Sequence, residues 1–268
     1  MTSRRSLRSA YRHFWAGVGQ RFPDLEGAAS TQYYSDNERR LFTEHFPRLE
    51  GLRILKTDLW DEAKNTRILA WASRQGARAY GVDISPPIVA QALAAFDNAP
   101  GDPRRLRSAV GDVRQLPFAD GSFEAIYSMG TIEHFDETER AVEEMARVLA
   151  PGGRAIIGVP NRHDPFARPL FVAALYAVGL YGYGYEKSYS RRALREMLER
   201  AGFEVVAETA ILFIPGWLRM LDLACHTWCR PLTAVTGALV RPFVLLDRHV
   251  PAVRRHGYLL ATVVVKPG

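Results

Sequence analysis

The chain has 268 residues, a net charge of +6 and 47% hydrophobic residues. That length holds one good-sized core with an appendage, and that composition excludes a largely disordered chain. The basic surplus is nearly all arginine and no compact basic run with interleaved aromatics occurs, so no nucleic-acid partner is expected; a GC-rich coding sequence explains the arginine bias as well.

In chain order, LRSAYRHFWAGVGQRF and NERRLFTEHFPRL have helical spacing, with STQYYSD as a polar link and Asp36 as the cap of the second helix. Residues 1–50 are expected to form a helical lid, with Tyr33 and Tyr34 over a ligand or simply packed at the surface. ILKTD is strand one and RAYGVD strand two. SPPIVAQALAAF is a helix capped by Ser85, with Pro86 and Pro87 in its first turn, where missing N–H groups cost little. After the polar loop PGDPRR come strand three (LRSAVGD), the loop VRQLPFADGSF and strand four (EAIYSMG). DETERAVEEMARVLA is an amphipathic helix, broken by PGG before strand five, RAIIGVP. SRRALREMLERAG is a helix capped by Ser190 and ended by Gly202. FEVVAETAILFI and GYLLATVVVKP are strands. Between them, residues 215–256 form an apolar, basic helical insertion interrupted by Pro231, Pro242 and Pro251.

Strands alternating with helices predict an α/β fold: a Rossmann-like, doubly wound, mostly parallel sheet with a helical insertion before the last strand. Its core spans 51–214 and 257–268. In such sheets ligands sit outside the carboxyl ends of the strands, so the turn after Leu55 faces the site.

The ordered set GVDIS (81–85), VGDVRQLPFADGSFEAIYSMGTIEHF (110–135), RVLAPGGRAIIGVPN (147–161) and SRRALREMLERAGFEVV (190–206) resembles the class I S-adenosylmethionine-dependent methyltransferases. The resemblance implies S-adenosylmethionine as cofactor and methyl transfer to a small-molecule acceptor. Asp83 would accept both ribose hydroxyls, with Ile84 on the adenine face; as a bare sequence feature the same Asp is more often a helix cap. Asp112 would accept from the adenine amino group beside the Val113 backbone, or simply form a turn. Ser128, Met129 and Gly130 take the positions beneath the methionine part of the cofactor, and Thr57 is a further cofactor-binding candidate. His134 is the candidate base for an acceptor that must lose a proton, with Glu133 beside it. His163 and Asp164 form a second pair at the same rim, set either to touch substrate or to order the loop, and Asn161 ends strand five on the substrate side.

The first turn departs from the family. Aligned on Ile54 and Leu55, the usual acid becomes Lys56 and the three glycines become Asp58, Trp60 and Glu62. Glycine permits close approach and positive φ, and tryptophan permits neither readily. Two readings follow. In a rearranged site, Lys56 pairs with the methionine carboxylate and Asp58 or Glu62 takes its ammonium. In a decayed site, the scaffold serves as a non-methylating partner or catalyses another reaction. A nicotinamide-dependent dehydrogenase shares the early topology but not strands three to five, and its glycine fingerprint is missing.

Cys225 and Cys229, four apart, read as packed side chains on one helix face and fit a reducing cytoplasm; no metal site is expected. The basic N-terminus lacks the apolar core of a signal peptide. The uncharged run from Pro169 to Tyr185 falls short of a spanning helix and reads as buried or interfacial. Aromatic and aliphatic residues in 161–187 and 215–256 suggest a bulky, partly apolar acceptor, methylated at oxygen. The arginines along the apolar helices leave a peripheral membrane contact or a homodimer face open.

Overall fold

The computed structural model describes residues 4–46, 48–97 and 106–268; the MTS start and the PGDPRR loop lie outside them. Seven strands form one sheet in the order β3-β2-β1-β4-β5-β7-β6. They are β1 (Arg53–Lys56), β2 (Arg78–Asp83), β3 (Arg107–Val110), β4 (Phe123–Met129), β5 (Leu149–Pro160), β6 (Glu204–Ile211) and β7 (Leu259–Val265). Only β7 runs against the others, between β5 and β6. The order reverses between β1 and β4, where such sheets open a crevice. Lys56, the last residue of β1, lies level with Gly81 of β2 and Tyr127 of β4.

Successive strand residues face opposite sides of the sheet, and each side is covered. Ile54 and Tyr127 point to one side, packed with Leu41, Phe42, Ile68 and Leu69. Leu55 and Ile126 point to the other, where α6 (Thr138–Val148) contributes Val142 and Met145 and α8 (Arg191–Arg200) contributes Leu194 and Leu198. The Ser190 cap of α8 is present, its side chain accepting from Ala193 N at 3.2 Å. Gly202, at φ +87°, ends the turn that follows.

The structure corrects the sequence reading at several elements. STQYYSD is not a link: α1 (Arg4–Arg21) is followed by one helix, α2 (Ala29–His45), and Asp36 lies inside it. Polar residues on the buried face of α2 concealed its helical stripe, because their partners lie far away in sequence. Asn37 accepts from Leu212 N, Asn37 and Arg40 donate to Asp247, and the Tyr33 hydroxyl accepts from Phe213 N. The free N–H at the start of α2 is capped in trans: Ser30 N donates to Asp222 Oδ2 at 2.7 Å.

PGG does not separate helix from strand either. β5 starts at Leu149, straight out of α6, and carries Pro151 to Gly153 as a bulge that shifts the register against β4. Backbone bonds between Gly152, Gly153 and Lys266 hold it, and a bulge tolerates a proline and a positive φ at Gly152.

The insertion contains α9 (Gly216–Trp228) and α10 (Thr233–His249), both packed against α2, so it joins the N-terminal segment. Cys225 is buried in α9, but Cys229 lies past its end and is exposed, because the backbone leaves the helix there. The run from Pro169 is not buried: α7 (Arg168–Ala177) and the turn after it expose Leu170, Tyr176, Val178 and Leu180. Among the described residues no helix is long and apolar enough to cross a membrane.

Candidate active site

The crevice at the strand ends is a cavity of about 200 Å³. Its floor follows the strands, with Thr57 and Asp58 after β1, Asp83 and Ile84 after β2, Asp112 and Val113 after β3, and Met129 and Gly130 at β4. Glu133 and His134, in a short 3₁₀ turn after β4, complete that side. The sequence placed all ten at the site. Tyr34 also lines the cavity.

Lys56, Ser128, Tyr33, Asn161 and His163 do not line it. The Ser128 hydroxyl is fully buried beneath the turn, accepting from Thr57 Oγ1 at 2.7 Å. Tyr33 faces the α2 core. Asn161 Nδ2 donates to Gly257 O, and the Asn161 side-chain oxygen accepts from His163 N, so the pair ties strand ends together while the His163 ring stays outside. Asp164 accepts from Phe166 N and Arg168 N and caps α7. Tyr11 and Trp15 of α1 line the cavity where Tyr33 does not.

The glycine-poor turn folds by a different set of contacts. Lys56 is fully buried, its ammonium donating to Asp58 Oδ1 at 2.9 Å and Asp61 Oδ2 at 3.2 Å. Burial alone would lower this ammonium, but Asp58, Asp61, Glu62 and Glu38 together hold it above its ordinary value. A methionine carboxylate therefore meets no free lysine here. Glu62 is also spoken for: it accepts from Leu69 N and Ala70 N at the start of α4 (Ile68–Arg74), and burial pushes it up to about 7. Asp58 keeps one face in the cavity, where Oδ2 accepts from Thr131 Oγ1 at 2.9 Å. Asp61 lines the cavity too, steadied by Asn65.

The space that glycines usually provide in the turn is provided by β2. Leu59 lies across Gly81, where a Cβ would come within 2.3 Å of Leu59 Cδ2, and Leu59 N donates to Asp83 Oδ2 at 2.8 Å. Trp60 begins the short helix α3 (Trp60–Lys64). It packs edge-on against Phe22 and Tyr183, joining the turn to the end of α1 and to the loop after α7.

Asp83 and Asp112 differ in what they have left to offer. Asp83 takes one backbone amide on each oxygen, from Leu59 and Ser85, and keeps a lone pair on each. Burial pushes its carboxyl up to about 7. Asp112 is gripped by Arg114 through N, Nε and Nη2. That guanidinium also reaches Glu137 and lies over the Tyr11 and Phe135 rings.

His134 Nδ1 lies 2.9 Å from Tyr185 O. A carbonyl only accepts, so Nδ1 carries the hydrogen and Nε2 is left with a lone pair. Burial draws the imidazole below its ordinary 6.5, so it is neutral at pH 7. Burial, reinforced by Glu186, pushes Glu133 well above the carboxylate range; its Oε2 has no partner and its Oε1 stands 3.9 Å from His134 Nε2.

The opposite wall was not legible in the sequence. Arg168 and Glu186 form a buried fork, with Arg168 Nη1 2.5 Å from Glu186 Oε1, and Tyr181 donates to the same carboxylate. The Arg168 guanidinium stacks 4.0 Å from the Tyr258 ring centre. Tyr183, Arg219, Met220 and Leu223 continue that wall. Charged residues in the polar stretches of a sequence read as solvated, and only the fold brings these into one cavity.

A family model described as a methyltransferase domain matches residues 63–157. The chain is 38% identical over 86 residues to a probable chloroplastic tocopherol O-methyltransferase of Oryza sativa subsp. japonica, covering 32% of this chain and 24% of that one. It therefore spans about a quarter of that relative's length. It is 27% identical over 191 residues to the demethylmenaquinone methyltransferase of Chlorobaculum parvum (strain DSM 263 / NCIMB 8327), covering 62% and 76%. Among solved structures it is similar to the [4+2]-cyclase SpnF, with a TM-score of 0.60 and 19% identity over 87% of this chain and 80% of the other.

Proposed function

We propose that this chain, which belongs to the class I S-adenosylmethionine-dependent methyltransferases, methylates a bulky, partly apolar small molecule at an oxygen atom. The observation that carries the reading is the convergence of Asp83, from the end of β2, with Gly130 and His134, which follow β4, on one cavity with an aromatic far wall.

The residues present fit the cofactor. Asp83, with a lone pair on each oxygen, accepts the ribose hydroxyls, and Ile84 covers one adenine face. Arg114 already occupies the Asp112 carboxylate, so the adenine edge is met chiefly by the Val113 backbone. Thr57, Met129 and Gly130 bound the methionine part, and Asp58 and Asp61 face its ammonium. Lys56 works from below, holding those two carboxylates in place. When bound, S-adenosylmethionine supplies an electrophilic methyl group on a sulfonium.

The chain's own task is alignment, exclusion of water and removal of one proton. Tyr11 and Trp15 roof the cavity. His134 Nε2 accepts the acceptor hydroxyl's proton, and its Nδ1 bond to Tyr185 O fixes the ring for that step. Glu133, whose carboxyl is raised by burial well above its ordinary range, stands beside it. Tyr34, Tyr183 and Tyr258 form the acceptor's apolar bed. Calorimetric titration with S-adenosylhomocysteine tests the reading: micromolar binding is expected, and no binding to the folded protein overturns it.

The similarity of fold to a [4+2]-cyclase, together with the sequestered Lys56, keeps a second reading in view: cofactor binding without methyl transfer. Binding of S-adenosylhomocysteine with no methylated product across phenol, enol and alcohol acceptors would favour it.

α7, α9 and α10 present Leu170, Trp217, Trp228, Val235 and Leu239 to solvent, and Arg230, Arg241 and Arg248 of the insertion are exposed. Trp228 is 80% exposed. Exposed apolar and basic residues on these helices suit an anionic lipid surface. Cosedimentation with phosphatidylglycerol-containing vesicles, and not with pure phosphatidylcholine, is the expected result; concentration-dependent dimerisation in place of sedimentation would reassign the face.

A further inference from the structure

Arg219 is the one arginine of the cavity wall opposite the strand ends that has no acid. It stands in the first turn of α9, only 9% exposed. Its guanidinium lies 5.2 Å from the Tyr34 ring centre and 5.8 Å from that of Tyr258. Among the described residues the guanidinium makes one hydrogen bond, a long one of 3.5 Å from Nη1 to Ser30 O. Among the described residues no carboxylate comes within ion-pair distance of it. The nearby Asp222 is committed to Ser30 N and the Thr236 hydroxyl. Arg168, on the same wall, is matched by Glu186 and shows how this cavity treats a cation that has a resident partner.

A buried guanidinium is costly unless an anion meets it, and ring faces compensate only in part. We propose that Arg219 anchors a carboxylate on the acceptor, whose aromatic or polyunsaturated body lies among Tyr34, Tyr183 and Tyr258. This rests on the methyl-transfer reading and adds a charge requirement to its substrate class.

The topology assigns the anion to the acceptor. Tyr258 immediately precedes β7, which lies beyond β5 from β1 and β4, so the Arg219 wall stands past the strand ends that bound the methionine part. A slot between two rings also favours a planar group that a guanidinium meets with two parallel bonds, which a carboxylate offers.

The test compares wild type with two variants of the same chain, Arg219→Met and Arg219→Lys, each variant checked for an unchanged melting midpoint. Probes are 4-hydroxycinnamate, 1-hydroxy-2-naphthoate and the methyl ester of each, titrated with and without saturating S-adenosylhomocysteine. Wild type is expected to bind at least one acid about tenfold more tightly than its ester, the size of one charge-assisted hydrogen-bonded pair. Arg219→Met should abolish that preference, Arg219→Lys should keep part of it, and affinity for S-adenosylhomocysteine should stay within about twofold. Esters binding as well as acids would overturn the proposal. So would loss of S-adenosylhomocysteine affinity in Arg219→Met, because the anion held would then be the cofactor's own carboxylate. Failure of wild type to bind S-adenosylhomocysteine while the acid preference persists overturns the methyl-transfer reading alone.

Discussion

Leu59 sits in the gap left by the missing side chain of Gly81: its Cδ2 occupies space within 2.3 Å of where a Cβ would be. The close approach that a glycine-rich turn ordinarily makes possible has been moved from the turn to the neighbouring strand. Gly81→Ala is expected to lower stability by about 1–3 kcal/mol, the usual cost of overpacking, and to weaken S-adenosylhomocysteine binding by displacing the turn. Leu59→Ala in the same chain should restore part of both. Urea denaturation and calorimetry read the two effects, and a Gly81→Ala protein indistinguishable from wild type would sink the idea.

Lys56 was the natural candidate for the methionine carboxylate, and its burial between Asp58 and Asp61 redirects the expectation. Lys56→Met strands two carboxylates at a buried site, and loss of one partner from such a group costs roughly 3–5 kcal/mol. The midpoint of urea unfolding should fall accordingly. Lys56→Met with Asp61→Asn should recover part of the loss. Wild-type stability in the single variant would contradict the clamp.

Asp83 gives a pH dependence whose sign is fixed by its raised value. In the folded chain the carboxyl titrates at about 7, so it still holds a proton that the unfolded chain has released. Its contribution to stability is complete below the unfolded value and is lost as pH rises through about 7. Glu62 acts in the same direction, while His45 and His134, lowered by burial, act oppositely at acid pH. The comparison is therefore wild type against Asp83→Asn: the difference in melting midpoint should shift in favour of Asp83→Asn as pH rises from 5.5 to about 7.5. Ribose hydroxyls favour the anion, so wild-type affinity for S-adenosylhomocysteine should fall toward about tenfold per pH unit below 7. A flat affinity profile would remove Asp83 from the nucleoside site.

His134→Gln should lower kcat by about 10²–10⁴ with S-adenosylhomocysteine affinity unchanged. The wild-type kcat/KM profile should show an acid limb with an apparent pKa below 6.5, since burial lowers the imidazole, and the variant should lack it. An undiminished kcat would leave His134 as a structural member of its loop.

What was legible in the sequence follows a physical division. Buried parallel strands such as RAYGVD read as apolar runs ended by a polar residue, and the sheet order comes with the crossovers that join them. Asp83, Ile84, Asp112, Val113 and Gly130 were found because each sits at such an end. The first half of α2 was hidden because its buried face is polar and is satisfied by Asp222, Asp247 and Leu212, about two hundred residues on. Arg168, Glu186 and Arg219 were hidden for the related reason that only the tertiary fold removes their charges from water. The turn misled because its missing glycines were sought within it.

The Asp222 carboxylate caps α2 through Ser30 N with one oxygen and receives the Thr236 hydroxyl with the other. A single side chain of α9 thereby secures the first turn of α2 and the first turn of α10. Exchanging residues 215–256 for a relative's segment would withdraw that cap, fray the helix that carries Tyr34 and open the cavity from the side. The insertion is thus no interchangeable cassette for altering acceptor choice: a graft that keeps the enzyme whole must bring its own acid to the position of Asp222.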